Sequence, residues 1–182
     1  TQLEVQAVPG QGRVLVNINQ LLFWVDTQFS IRVAKQVAEK ITKIPLNKYD
    51  LIYSIETEAS VVEGQSAGAA LTVATVAAVM NKTINQSVMI TGTINPDGTI
   101  GPVGGILAKA SAAKDAGATL FLVPAGQGMQ TTYTPVRSCQ QIGSFTICRT
   151  EYKPTRANVK SEVGIEIQEV SNINEALKYF IS

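Results

Sequence analysis

The spacing of apolar and polar residues changes several times along this chain, and each change marks an element. Residues 3–7 and 13–18 read as two strands joined by a turn at Pro9-Gly10-Gln11-Gly12. In the second, Val14, Val16 and Ile18 alternate with Leu15 and Asn17, a pattern that predicts one face more buried than the other. The period then lengthens. Phe29, Val33, Val37 and Ile41 recur at every fourth position and predict a helix over 27–42, capped by Asp26 or Thr27, with those four as its inner stripe. Pro45 and Asn47 close that unit, and residues 51–56 make a short apolar strand. Residues 66–80 are rich in Ala, Val and Thr, apolar on nearly every side, and predict a helix lying inside the molecule.

Residues 88–93 are strand-like and run into the turn Asn95-Pro96-Asp97-Gly98, so Thr99-Ile100 returns as a hairpin. A glycine-rich bend, Gly101-Pro102-Val103-Gly104-Gly105, leads into a helix over 106–116 that stops at Gly117. Residues 120–123 form a buried strand ended by Pro124. Residues 125–160, rich in Gly, Gln, Thr, Pro and Arg, read as an irregular insertion. A last strand over 164–170 and a closing helix over 171–180 follow, the helix capped by Asn174 or Ser171 with Ala176, Leu177 and Phe180 inward. No repeat, linker or second core interrupts the pattern, which implies one α/β domain over 1–182.

Composition narrows the classes. A chain of 182 residues with 45% hydrophobic content can bury one sizeable core. A net charge of +1 with no basic stripe argues against a nucleic-acid partner, and the polybasic signal of a membrane-surface protein is missing too. The longest apolar run is too short to cross a bilayer. The chain opens at Thr1 without a signal-like segment, which suggests a piece of something longer. Its two cysteines, Cys139 and Cys148, cannot make an ordinary zinc site without histidine; they are either a disulfide across a short hairpin or two buried thiols.

Candidate chemistry centres on Glu63-Gly64-Gln65-Ser66-Ala67-Gly68. A serine between glycines at the mouth of a helix has unpaired backbone N–H groups and a positive dipole end beside it, an arrangement suited to an oxyanion. The letters fit G-x-S-x-G, yet the chain contains no histidine, so no Ser-His-Asp or Cys-His scheme exists within it. A nucleophilic Ser66 needs another base. Lys35, Lys40, Lys43, Lys48, Lys82, Lys153 and Lys160 occupy helix faces or loops where a solvated charge is expected. Lys109 stands instead among Ile106, Leu107, Ala108 and Ala110, where it either snorkels to water or is desolvated into a usable base. Taken alone, Ser66 could equally be a helix cap and Thr91 an ordinary strand threonine.

Read together, Glu63-Gly64-x-Ser66-Ala67-Gly68, Thr91-Gly92-Thr93 and Gly98-x-Ile100-x-Pro102-Val103-Gly104-Gly105 followed by Lys109 resemble the proteolytic domain of the Lon protease family. Ala112-Ala113, Gly117-Ala118 and Leu122-Val123-Pro124 continue the likeness, and 43 residues separate Ser66 from Lys109, as in that family. The resemblance implies an α+β domain of mixed small sheets with packed helices, and a serine peptidase with a Ser-Lys dyad. Ser66 would be the nucleophile and Lys109 its base. Thr91 would hydrogen-bond the lysine, and backbone N–H groups around Gly64, Gln65, Ser66 and Ala67 would bind the oxyanion. Glu63 matches an acidic position whose carboxylate can contact the lysine and hold the site inactive.

No cofactor and no metal are implied. The expected substrates are unfolded proteins or peptides; another Ser-Lys amide hydrolase and an idle binding or assembly domain are the alternatives. Family members usually carry an ATPase module, whereas no G-x-x-x-x-G-K-[ST] loop occurs here. The chain looks more like stand-alone archaeal Lon-like proteins, which implies ATP-independent action and an extracytoplasmic or membrane-anchored location, with a cytoplasmic one as the alternative. A homo-oligomer is compatible with the resemblance, and an ATPase or a membrane anchor could belong only to segments outside this chain.

Overall fold

The computed structural model describes residues 2–18, 22–23, 25–56, 61–62 and 64–181. Five α-helices among them pack with small sheets in a mixed α/β arrangement, as the resemblance implies. Strands β1 (Gln2–Pro9) and β2 (Val14–Ile18) precede the two-residue β3 (Leu22–Phe23) and helix α1 (Val25–Thr42). Strand β4 (Tyr49–Glu56) follows and forms a sheet in the order β1-β4-β2, antiparallel to β1 and parallel to β2. The short β5 (Val61–Val62) pairs with β3.

The turn between β1 and β2 therefore does not pair them; β4 inserts between. The cause is Asp50, whose buried carboxylate accepts from Gln11 N and Arg13 N, both at 2.9 Å, and from the Arg13 guanidinium. Those bonds hold the carboxylate far below the ordinary range of an aspartate. Gly10 leaves the space that the Asp50 carboxylate occupies. At the sheet edge, Val14, Leu15 and Val16 are all exposed, so the alternation in β2 does not mark a buried face.

Helix α1 also departs from its expected stripe. Val33 and Val37 are buried and Ile41 is partly so, but Phe29 is 50% exposed, while Thr27, Ser30, Ile31, Ala34 and Ala38 face inward. Steps of four overshoot a turn of 3.6 residues by about 40° each, so Phe29 has rotated off the face that Val37 defines. Asp26 and Thr27 lie inside the first turn rather than at a cap.

Helix α2 (Gly68–Val79), preceded by a 3-10 turn (Gln65–Ala67), is the internal helix its composition predicts, with eight of its twelve residues buried. Ala69 and Val73 join an apolar cluster with Leu122, Ile173 and Phe180, while Leu71 and Val76 join another with Leu46, Leu51 and Tyr53. Its buried hydroxyls are satisfied within the helix, Thr72 to the Gly68 carbonyl and Thr75 to that of Leu71. Tyr53 OH also bonds Thr75 at 2.8 Å, and burial pushes its phenol up to about 12.

Strand β6 (Val88–Ile90) is followed by the hairpin of β7 (Thr93–Ile94) and β8 (Ile100–Gly101), then by α3 (Ile106–Asp115) and β9 (Leu120–Pro124). The expected strand over 88–93 is thus broken at Thr91-Gly92. After β10 (Met129–Ile142), β11 (Phe145–Asn158) and the single-turn α4 (Val159–Val163), β12 (Glu166–Val170) completes a parallel sheet in the order β12-β9-β6. Helix α5 (Ile173–Phe180) closes the chain, capped by Asn172, whose side chain accepts from Glu175 N.

Residues 129–158 correct the reading of an irregular insertion. Strands β10 and β11 pair over their whole length as an antiparallel ribbon about 45 Å long, in register from Met129–Asn158 to Ile142–Phe145. Cys139 and Cys148 stand opposite one another in it and are disulfide-bonded. Its sequence shows no apolar alternation because neither face meets the core: every residue from 133 to 156 is exposed.

Candidate active site

Ser66 sits half-buried in the 3-10 turn, one residue before the α2 cap position, which is Ala67. It is therefore not the helix-capping serine that its sequence context alone would allow. Gly64 opens the turn at φ 91°, a conformation that favours glycine although a side chain there would meet nothing. The backbone N–H groups of this turn precede the first helical bonds, where a helix start leaves donors available.

The turn is bolted to residues 91–92. Thr91, buried, donates its hydroxyl to the Ser66 carbonyl at 3.2 Å, and Gly92 N donates to the same oxygen at 3.0 Å. Ala69 N returns a bond to the Gly92 carbonyl at 3.0 Å. These bonds interrupt β6, since the backbone of Gly92 is spent on the serine turn rather than on a strand. The approach needs glycines: a side chain on Gly92 would strike Ile100, and one on Gly68 would come within 2.6 Å of Ile94.

Lys109 lies on α3, half-buried, and its amine donates to the Gly104 carbonyl at 2.9 Å. Burial pushes this amine below the ordinary value for a lysine. Helix α3 starts from Gly105, which holds a left-handed conformation at φ 68°. The bend carrying it continues β8, and β8 pairs with β7 immediately after Gly92, so a short path of backbone links the serine turn to the lysine's helix. The hydrogen bonds of Thr91 and Lys109 run to Ser66 and Gly104, not to one another as the resemblance implies. Thr91 is thus tied to the serine turn, while Lys109 is tied to its own bend. Gln65 and Ala67 flank Ser66 and are exposed. Glu63 lies outside the described residues.

A groove of about 650 Å³ lies between Ala70, Val73 and Ala74 of α2, Val88, Met89 and Ile90 of β6 and Gln2, Leu3 and Glu4 of β1; neither Ser66 nor Lys109 is among the residues that line it. Ala70 and Ala74 stand one and two turns on from Ser66. Among the described residues, β6 is an outer strand of its sheet. Among the described residues no cluster of three or more Cys, Asp or Glu side chains could hold a metal ion.

The sequence reading did not single out Gln127. Its side-chain amide bonds both backbone groups of Val103, accepting from Val103 N at 2.9 Å and donating to the Val103 carbonyl at 2.8 Å. Its signal in the sequence is faint: one polar side chain between Gly126 and Gly128, directly after a buried strand.

Comparisons with known proteins bear on this site. Residues 2–148 match the family model of the Lon protease (S16) C-terminal proteolytic domain. The chain is 31% identical over 127 residues to the Lon protease of Phenylobacterium zucineum, which is 68% of this chain and 16% of that protein. It is 35% identical over 88 residues to the archaeal Lon protease of Thermoplasma volcanium, covering 48% of this chain and 13% of that protein. A longer match, 28% identical over 164 residues, joins it to the Lon protease of Paraburkholderia phytofirmans and covers 88% of this chain and 20% of that protein. The matches thus span no more than about a fifth of these relatives' own length.

Proposed function

The chain belongs to the Lon protease C-terminal proteolytic domain family, and from that premise we propose that it is a serine peptidase working through a Ser66–Lys109 dyad. The observation that carries the reading is Lys109: an amine lowered by burial whose bond among the described residues runs to the neutral Gly104 carbonyl, in a chain without imidazole. The neutral amine takes the proton of Ser66 Oγ as that oxygen bonds to the scissile carbonyl carbon. The resulting oxyanion is stabilised by backbone N–H groups of the turn at 64–67. As the C–N bond breaks, the lysine ammonium returns its proton to the leaving amine and an acyl-enzyme remains. Water then attacks that ester, with Lys109 again the base, and Ser66 is regenerated.

The outer strand β6, which leads directly into Thr91 and its bond to the serine turn, supports an extended polypeptide as substrate over a small amide, since an edge strand offers backbone groups to a chain laid along it. Hydrolysis by this chain is proposed to need no ATP. The bonded Cys139–Cys148 pair supports an oxidising, extracytoplasmic compartment.

The test is hydrolysis of unfolded casein without nucleotide by the parent, Ser66→Ala and Lys109→Ala. Each substitution is expected to lower kcat by on the order of 10³-fold or more. Because the working base is the neutral amine, kcat/KM of the parent should rise with pH through a pKa below the roughly 10.4 of a free lysine. Equal activity in all three proteins would end the dyad reading; activity only with ATP would end the independence.

A further inference from the structure

The turn 125–128 connects three parts of the molecule: strand β12, the ribbon, and the bend that precedes α3. Below it, the Glu169 carboxylate on β12 accepts from Gly126 N at 2.9 Å and from Gly128 N at 2.7 Å, one backbone donor on each side of Gln127. A side chain on Gly128 would come within 2.7 Å of that carboxylate and would have to displace it. Behind it, Val159 N donates to the Gly128 carbonyl at 3.0 Å and Gln130 Nε2 to the Gln127 carbonyl at 2.9 Å, so both ends of the ribbon start from this turn. Ahead of it, the Gln127 amide lies on Val103 as a neighbouring strand would, filling one donor and one acceptor of the bend. The next carbonyl, that of Gly104, receives the amine of Lys109.

We propose that Gln127, pinned by Glu169, is a positioning residue that holds the 102–105 bend so that the Gly104 carbonyl fixes where the Lys109 amine points. The inference rests on the Ser66–Lys109 reading and adds to it. The bend needs outside support. Gly104 and Gly105 are exposed, a side chain on either would meet nothing, and Gly105 is left-handed, so packing does not restrain it. Two part-buried hydrogen bonds to one residue supply that restraint directionally, where an apolar contact would let the bend slide. Among the described residues the charged groups along this line are Lys109 on α3 and Glu169 on β12; Lys160 is paired with Glu166 at 2.8 Å, and Lys114 donates to the Val163 carbonyl. Lys109 is thus aimed through neutral groups, while the carboxylate of the clamp is bonded to the backbone on either side of Gln127.

The experiment compares the parent with Gln127→Ala, Gln127→Glu and Glu169→Gln, measuring kcat and KM on a fluorogenic unfolded peptide, the pH–rate profile, and the Lys109 side-chain titration by NMR. Gln127→Ala is expected to lower kcat about 10- to 100-fold with KM within about threefold, since a small misplacement of a reacting group costs rate rather than binding. Its amine, freed to reach water, should titrate higher, moving the ascending limb of the profile to higher pH. Gln127→Glu keeps the shape but cannot donate to the Val103 carbonyl and adds a negative charge; both shifts should be larger. Glu169→Gln should shift both in the same direction and less. Folded variants with parental kcat, pH limb and lysine titration, or changes confined to thermal stability or KM, would overturn the positioning role. If Gln127→Ala does not fold, the Gln127→Glu and Glu169→Gln pair decides. Should Lys109→Ala prove as active as the parent, the dyad reading fails, while the NMR titration still reports whether the clamp sets the amine's surroundings.

Discussion

Helix α2 and the β10–β11 ribbon are both extended, uninterrupted elements, and they are stabilised by opposite means. Eight of twelve residues are buried in α2; of the 28 in the ribbon strands only Ala157 is. The helix is held by two apolar clusters that grip it from different sides, and no residue of 130–156 belongs to any cluster of the core. The ribbon keeps its register instead through a complete ladder and one covalent bridge. Burial on all sides fixes the position of a backbone, so α2 can present a serine turn at a set place. Pairing alone fixes the shape of a ribbon but not where it points. The candidate chemistry lies on the first kind of element, and the second is attached to it through the turn that carries Gln127.

Matched substitutions test this contrast. Leu122, fully buried on β9, should cost about 2–5 kcal/mol on Leu122→Ala, whereas Phe145→Ala at the ribbon tip, 76% exposed, should change global stability by no more than about 0.5 kcal/mol. Urea titrations of both variants measure it, and equal losses would mean that the ribbon is part of the cooperative core. The tyrosines give a smaller version. Tyr53→Phe removes a buried hydroxyl bonded to Thr75 and should cost about 1 kcal/mol, while Tyr152→Phe in the ribbon should be neutral by thermal melting. The smallest effect is expected from reducing Cys139–Cys148. A bridge closing so short a loop stabilises the ribbon locally by about 2–3 kcal/mol in the chain-entropy account. Calorimetry should show the main transition displaced by less than about 2 °C, while limited proteolysis begins to clip the ribbon. A large drop in the main transition would erase the distinction between the two regions.

Much of the body was legible because its signals are local. Alternation and apolar runs marked β4, α2, β9 and α5, and glycines marked both bends. The order of Ser66, Thr91 and Lys109 along the chain suggested one site, and the bond from the Thr91 hydroxyl to the Ser66 carbonyl joins two of the three. The failures share a cause: each depended on what a segment meets. The exposure of Phe29 follows from where the neighbouring elements contact α1. The separation of β1 from β2 follows from Asp50, thirty-seven residues beyond Arg13. The ribbon looked irregular because a two-sided exposed ladder leaves no hydrophobic period to read.

By itself the sequence determined the chemical inventory: no imidazole anywhere, a serine in a glycine-lined turn, a lysine among small apolar neighbours, and enough apolar residues at helical and strand spacing to bury a core. Tertiary structure alone decided which backbone groups those residues meet. It spent the Gly92 amide on the Ser66 carbonyl, gave the Lys109 amine to Gly104, and laid Gln127 against Val103. Periodicity reports only which side of a segment avoids water, because burial acts on a whole face without regard to direction. A hydrogen bond joins one donor to one acceptor, often far apart in the chain, and those partners exist only once the chain has folded.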